Sequence, residues 1–352
     1  MMFSNSNKIS FPQNHSKSGR KQLFFKIWLL LVTILFYSQN EVFADQPTIK
    51  INDSHTFTDQ SGQTFTVKAP YQRIISLYGA HTENLYALGA EEKLIGVGRH
   101  EIYPPDALKK TAFSYRDDPE KFLAVRPDLV LIRPMISRAY PNLIQRMIQN
   151  GITIVSIQPS NMTEMYTYWR ILGILTGKNQ MATQMVETFQ RAVKAYDNLA
   201  QSITPKKRVF LEAIHNKMKT FTSDAMAAVV LKLAGGINIA DDAPQVRSTN
   251  IAYYGIERIL SKADKIDVYI AQVGAMNHAT IEMITKEPGF HIIKAIKENQ
   301  IHLIDETIIS RPTPRLLRGI YTMGQMIYPT QFNAKRKAIL ENASPIIKEV
   351  SH

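Results

Sequence analysis

Residues 178–203, KNQMATQMVETFQRAVKAYDNLAQSI, decide how this chain is organised. Apolar side chains recur at Met181, Met185, Phe189, Ala192, Val193, Tyr196, Leu199 and Ile203, the three-four spacing of one helical face. Gln184, Glu187, Arg191, Lys194, Asp197 and Gln201 fall on the opposite side. No Gly or Pro interrupts the stretch; Gly177 stands just before it and Pro205 just after it. At about 1.5 Å per residue the segment makes a helix roughly 39 Å long, a domain diameter or more. No heptad array extends beyond it, so a coiled-coil arm is disfavoured. The segment reads as a rigid spine laid across two α/β regions.

Each side of the spine carries its own strand–helix rhythm. Before it, short apolar strands are expected at 73–77 (RIISL), 94–98, 129–132 and 153–157. Helices at 82–88, 119–125, 141–150 and 162–175 lie between or after them, several stopped by Gly89, Gly151 and Gly177. Asp118-Pro119 is a helix start, with Asp as cap and Pro in the first turn. After the spine, strands are expected at 208–213, 268–272 and 301–304, and helices at 226–234, 255–263, 292–298 and 314–327. Strands of four to six residues joined by helical crossovers imply parallel sheets covered on both faces. The fold class is therefore α/β, two Rossmann-like lobes of parallel sheet with flanking helices, joined by one long spine helix.

The expected divisions are a signal peptide at 1–44, an extension with a hairpin at 45–72 and a first lobe at 73–160. Inter-lobe helices including the spine follow at 161–205, then a second lobe at 206–330. A charged tail at 331–352 is read as a terminal helix or a partly disordered end. The leader reading rests on Lys8, Lys17, Arg20, Lys21 and Lys26 before an uncharged run, 27–40, and on Val42-Phe43-Ala44 before Asp45. The apolar run is short for a bilayer span, which leaves an uncleaved anchor as the alternative. The chain has no Cys, hence neither a lipid attachment site nor disulfides. Those features suit a soluble exported protein of a Gram-negative periplasm. Of the formal charge of +12, five Lys/Arg and one Glu precede Asp45, so cleavage leaves +8. The densest basic cluster, Lys206-Lys207-Arg208, reads as the solvated start of a strand. Nucleic-acid binding is not expected.

With these elements placed, the chain resembles the class III periplasmic substrate-binding proteins of ABC importers, the iron-chelate (siderophore), cobalamin and haem family. The likeness covers about residues 57–329. It rests on ordered motifs: FTDQSGQ and APYQRIISL, then HTENLYALGAEEKLIGVG, YPP and EKFLAVRPDLVLI, and in the second lobe LKLAGGINIA, GIERIL, SRPTPR and IYP. The resemblance implies a non-enzymatic receptor that binds a solute between its lobes and presents it to a membrane permease. It implies a docking role for Glu83, in HTEN, and Glu257, in GIERIL, as exposed carboxylates at the tip of each lobe facing permease arginines. The positive N-terminal end of its helix would also explain each glutamate, but the matching motif context in both lobes favours docking.

The ligand site is sought in the loops after the strands. These hold Tyr78, His81, His100, Tyr103, Tyr115, Arg116, Arg133 and Arg138 in the first lobe, and His215, Arg247, Tyr253, Tyr254 and Arg311 in the second. Tyr78, His100, Tyr115, Arg116, Arg133, Tyr253 and Arg311 are the expected ligand-binding set, with His100, Arg133 and Arg311 also supported by motif position. Arginines and tyrosines suit an anionic chelate, since the guanidinium fork pairs with carboxylate or catecholate oxygen. Both Trp residues, Trp28 and Trp169, fall outside these loops, so a tryptophan-lined corrin pocket is not expected. A ferric siderophore comes first, with cobalamin and haem as alternatives and a two-lobed metal-chelatase-like enzyme as the rival of another class. A surface-anchored adhesin or sensor is the third reading. No resident cofactor, no metal site and no oligomer are expected. The spine predicts only a small hinge movement on binding.

Overall fold

The computed structural model of the protein describes residues 48–347 apart from Ser248; the expected leader and cleavage site lie outside the described residues. The chain enters through three short antiparallel strands, β1 (Lys50–Ile51), β2 (Thr56–Thr58) and β3 (Thr64–Thr66), in the order β1-β2-β3. The expected hairpin is thus one strand larger, because two residues at β1 are too few to show alternation. Phe57 stacks on Phe65 at 5.2 Å between ring centres. The Asp59 carboxylate accepts the Ser61 N–H at 2.8 Å and the Ser156 N–H at 2.9 Å, fastening the turn to the first lobe.

That lobe comprises β4 (Ile74–Ser76), α1 (Gly79–Ala87), β5 (Leu94–Gly98), β6 (Thr111–Phe113), α2 (Pro119–Ala124), β7 (Leu129–Ile132), α3 (Pro134–Ala139), α4 (Pro141–Gln149) and β8 (Thr153–Ser156). Its five strands are all parallel, in the order β6-β5-β4-β7-β8. The central strands β4 and β7 are buried along their whole length, as a sheet covered on both faces requires. The edge strand β6 was not anticipated: Thr111 and Ala112 are exposed and leave no apolar run to read.

Two helices cross to the second lobe. α5 (Met162–Thr176) is capped by the Asn161 side chain, which accepts the Glu164 N–H, and ends at Gly177. There φ is +72°, a left-handed value that glycine adopts without strain. The spine, α6 (Asn179–Ser202), follows at once and is 24 residues long. Its buried stripe is Ala182, Met185, Val186, Phe189, Ala192, Tyr196 and Ala200. The stripe is rotated slightly from the expected one: Met181 is exposed, and Ala182 with Val186 takes its place. Burying Phe189, Tyr196 and Met185 stabilises the crossing by about 1.5–3 kcal/mol per side chain.

The second lobe contains β9 (Arg208–Glu212), β10 (Lys219–Phe221), α7 (Met226–Leu233), β11 (Ile237–Asn238), β12 (Ile251–Tyr253), α8 (Ile256–Ser261), β13 (Val268–Val273), α9 (Ile281–Lys286), α10 (Lys294–Lys297), β14 (Ile301–Asp305) and α11 (Glu306–Ile309). Its main sheet is parallel, in the order β11-β9-β13-β14, with β10 and β12 forming a separate antiparallel pair. The long α12 (Leu316–Ile327) then leads back toward the spine, and α13 (Pro329–Ile339) and α14 (Ser344–Ile347) complete the described chain. Of the two readings of the charged tail, the structure has the helical one over 331–347. Phe332, Ile339, Leu340, Ala343, Ile346 and Ile347 are buried, and Phe332 stacks on Tyr196 of the spine. One apolar core runs without a break from β4 and α5 through the spine to β9, α12 and α13.

At the far end of the second sheet, Asp267 binds the start of β9. It accepts the Arg208 backbone N–H at 2.8 Å, the Arg208 side chain at 3.1 Å and Lys294 at 2.9 Å. Burial alone would raise this carboxyl, but these donors outweigh it and hold the pKa at about 2, against 3.8 when free. A depressed carboxyl adds stability above the unfolded pKa and loses it as pH falls toward the folded one. Asp267→Asn should therefore cost about 1–2 kcal/mol at pH 7, after allowance for the partly exposed donors. Urea titrations should show the wild type and variant converging as pH falls from about 4 to about 2.

Candidate functional site

In open parallel sheets a ligand settles beyond the carboxyl ends of the strands, where the strand order reverses. In the first sheet that point lies between β4 and β7. Tyr78 follows β4 and Arg133 follows β7, and the adjacency of the two strands places the Arg133 guanidinium 4.7 Å over the Tyr78 ring. Arg133 is half-buried, and its Nε is enclosed without a hydrogen-bond partner. An enclosed donor left unpaired costs about 1–3 kcal/mol. Beyond β6, Tyr115 packs on Tyr140 at 4.9 Å, and Arg116 lies over Tyr115 at 5.9 Å with its Nε directed at the Tyr140 hydroxyl. Tyr140, between two short helices, gave no signal of its own in the sequence.

In the second sheet the order reverses between β9 and β13, and there the space is filled by the protein itself. Glu212 is wholly buried; it accepts from the Tyr269 hydroxyl, lies 2.8 Å from His215 Nδ1 and accepts the Asn277 amide at 3.2 Å. Asn277 also accepts the His215 backbone N–H at 3.0 Å, and Gln272 donates to the Ala213 carbonyl at 3.0 Å. The hydrogen bond to Glu212 raises the His215 pKa above its ordinary value, with Glu287 3.6 Å from the other ring nitrogen. His215 is thus part of a closed internal network.

The carboxyl ends of the two sheets face each other. Glu101, beyond β5, lies 3.7 Å from Arg311, beyond α11, and Asn250, before β12, donates to the Ser160 carbonyl at 3.2 Å. At the floor, Arg311 Nη1 donates to Glu83 at 2.8 Å and Arg315 Nη1 to its second oxygen at 3.3 Å. Asn84 and the Trp169 indole both donate to the Pro312 carbonyl, at 3.0 and 3.2 Å. Gly79 makes room for this: a Cβ there would stand 2.3 Å from the Arg311 guanidinium.

One expectation is corrected by this floor. Glu83 is not an exposed tip carboxylate; it is 4% exposed and enclosed by two arginines of the opposite lobe. Burial pushes its carboxyl upward while Arg315 and Arg311 pull it back down. Arg311, expected at the ligand, already donates to Glu83 through Nη1, which also lies 3.7 Å from Glu101. The sequence could not show either, because the partners are 228 residues apart. Glu257, by contrast, is exposed in the first turn of α8.

The remaining residues divide clearly. His100 and Arg247 are exposed, and Tyr253 is 53% exposed on β12. His81 is a core residue: Nε2 faces the Ile132 carbonyl, so it carries the proton, and Nδ1 accepts from the Tyr168 hydroxyl at 2.6 Å. Burial lowers its pKa to about 3 and keeps it neutral. Tyr254 is buried under Arg258, with its hydroxyl on the Ile239 carbonyl. Tyr103 supports Arg315, whose guanidinium lies 4.0 Å over its ring. Arg138 is exposed on α3. No cluster of three or more metal-ligating side chains exists among the described residues.

The sequence profile of the periplasmic binding protein family matches residues 74–307, from the start of the first parallel sheet to α11. The chain belongs to the periplasmic binding protein family. An ABC transporter substrate-binding lipoprotein of Bacillus subtilis, YvrC, is 26% identical over 79% of this chain and 86% of its own. The vitamin B12-binding protein of Vibrio cholerae is 25% identical over 71% of this chain and 87% of its own. Among solved structures, a possible iron-binding periplasmic solute-binding protein of Staphylococcus epidermidis superposes with a TM-score of 0.64 at 27% identity. That likeness covers 74% of this chain and all of the other.

Proposed function

We propose that this chain is the solute-receiving component of an ABC importer and that its ligand is an anionic metal chelate, a ferric siderophore. The observation that carries the reading is Arg133, a half-buried guanidinium at the first switch point, stacked on Tyr78 and with an enclosed donor awaiting an acceptor. Arg116 with Tyr115 and Tyr140 extends the same cation–phenol chemistry along the sheet end. Carboxylate, hydroxamate or catecholate oxygens satisfy such donors, and aromatic rings pack on such phenols. The iron-binding description of the Staphylococcus epidermidis protein points the same way. The site does no chemistry on its solute, acts as a monomer and hands the ligand to a permease. The chain works in the periplasm, freed by cleavage before Asp45, although the Bacillus relative is a lipoprotein. Among the described residues no helix is long and apolar enough to cross a membrane.

Cobalamin is the second reading, favoured by the Vibrio cholerae relative. Against it, Trp169 is wholly buried at the lobe contact and offers no face to a corrin. Fluorescence-quench titration with a ferric tris-catecholate, cyanocobalamin and haemin separates these. The ferric chelate should quench saturably at sub-micromolar concentration, roughly −8 kcal/mol or tighter. Quenching by cyanocobalamin alone overturns the siderophore reading, and quenching by none of the three overturns the receptor for metal chelates.

A further inference from the structure

Lys206-Lys207-Arg208 is the densest basic cluster of the sequence, and the solute site makes no use of it. It borders a cavity of about 550 Å³ at the amino end of the second sheet, bounded on the other side by Asp267, Lys294 and Glu298. β9 starts here and runs for five residues, about 17 Å, toward the cleft, so cavity and cleft lie at opposite ends of the sheet. The cations crowd a single carboxylate. Asp267 accepts from the Arg208 backbone N–H and Nε, from Arg208 Nη2 at 3.3 Å and from Lys294 Nζ at 2.9 Å. These donors hold its pKa at about 2 against the effect of burial, which marks the surroundings as strongly positive. Arg208 and Lys294 remain 39% and 40% exposed, and each has N–H groups beyond those given to Asp267. Lys206 is exposed and Lys207 half-buried, and neither has an ion pair among the described residues. Four cations therefore stand against two carboxylates, Asp267 and Glu298, an excess of two positive charges around one cavity.

We propose that this cavity binds a phosphate monoester, the head of a molecule larger than phosphate itself. Like charges gathered around one concavity repel each other, and a dianion placed among them turns that repulsion into attraction. An excess of two positive charges matches the charge of a phosphate monoester. The guanidinium fork takes phosphate oxygens in pairs, and the ammonium serves as a point charge beside it. Asp267 shows the arrangement already at work, since its carboxylate draws donors from Arg208 and Lys294 together. A phosphate brings a third terminal oxygen to the donors left over. The cavity is many times the roughly 30 Å³ of a water molecule, which leaves room for the ester substituent. A soluble ester and a lipid headgroup present the same group to these cations. Because the cavity lies away from the cleft, the inference stands apart from the receptor reading.

The test uses the full chain at constant ionic strength and two probes that share the phosphate monoester. Glycerol phosphate in solution is followed by its phosphorus NMR resonance, and phosphatidylcholine vesicles carrying phosphatidic acid are followed by co-sedimentation. A saturable shift of the resonance places the ester in solution. Retention by the acidic vesicles, with none by pure phosphatidylcholine and no shift, places it in a bilayer; either result supports the site. Lys206→Gln combined with Lys207→Gln should weaken the response by roughly tenfold, about threefold for each unit charge a few ångströms away in water. Asp267→Asn should strengthen it by about threefold, because it removes the carboxylate that competes for Arg208 and Lys294. Lys109→Gln, at an exposed lysine of the first lobe, should leave it unchanged. Saturation by neither probe overturns the proposal. So does an equal loss in Lys109→Gln and the double variant, or weaker binding in Asp267→Asn. Ferric-chelate quenching should be the same in all of these variants, so a failure of the phosphate site and a failure of the receptor reading are told apart.

Discussion

Replacing Glu83 with alanine should lower the unfolding free energy by about 3–5 kcal/mol, one of the largest losses available from a single side chain here. The residue lies in the middle of α1, is 4% exposed and meets Arg311 and Arg315 at 2.8 and 3.3 Å. Both guanidiniums come from the opposite lobe and are themselves largely enclosed. Truncation leaves two cations with Glu101 as the nearest remaining carboxylate, 3.7 Å from Arg311. The cost is that of stranding buried charge, not of losing one hydrogen bond. Glu257→Ala provides the comparison, since an exposed carboxylate in a short helix should change stability by no more than about 0.5 kcal/mol. Urea unfolding of the two variants checks this. A loss below about 1 kcal/mol for Glu83→Ala means that the cluster is hydrated and does not hold the lobes together.

The two glutamates show what the sequence can and cannot disclose. Both stand in motifs of the same kind, near the start of a helix expected from sequence, and both read as surface carboxylates. Local pattern fixes the helix on which each sits; it does not fix what approaches that helix from 228 residues away. The spine and the parallel strands other than β6 and β11 were legible because their signals are local, apolar runs of four to six residues and one three-four stripe. Phe332, Ile339, Leu340, Ala343, Ile346 and Ile347 were passed over because charged residues surround them and dilute the stripe. The site divides in the same manner. Tyr78 and Arg133 follow from strand ends once the sheet order is known, and their stacking is a consequence of β4 and β7 being neighbours. The corresponding point in the second lobe looks alike in sequence, yet Glu212, His215, Asn277 and Tyr269 close it with their own hydrogen bonds. The two lobes are therefore unequal: the first carries the open cationic end, and the second is internally satisfied.

Arg133 and Arg311, which sequence treats alike, should part company under substitution. Arg133→Leu should weaken ferric-chelate binding by about ten- to a hundredfold, the worth of one charge-assisted hydrogen-bonding group at an anionic ligand. Its stability should stay within about 0.5 kcal/mol of wild type, since among the described residues the side chain makes no ion pair and its Nε is without a partner. Arg311→Leu should do the reverse. It strands Glu83 with Arg315 alone and leaves Glu101 without its cation, at a cost of about 3 kcal/mol. Its chelate affinity should change by no more than about threefold, because the guanidinium is already engaged by carboxylates of the first lobe. Quench titration and urea unfolding on both variants give four numbers, and the pattern among them is the prediction. Equal losses of affinity in the two variants place Arg311 in the ligand site after all. A stable, tight-binding Arg133→Leu removes the first switch point as the seat of recognition. The two guanidiniums differ physically: Glu83 accepts from Arg311 and Glu101 lies 3.7 Å from it, whereas Arg133 lies half-buried over the Tyr78 ring with its Nε without a hydrogen-bond partner.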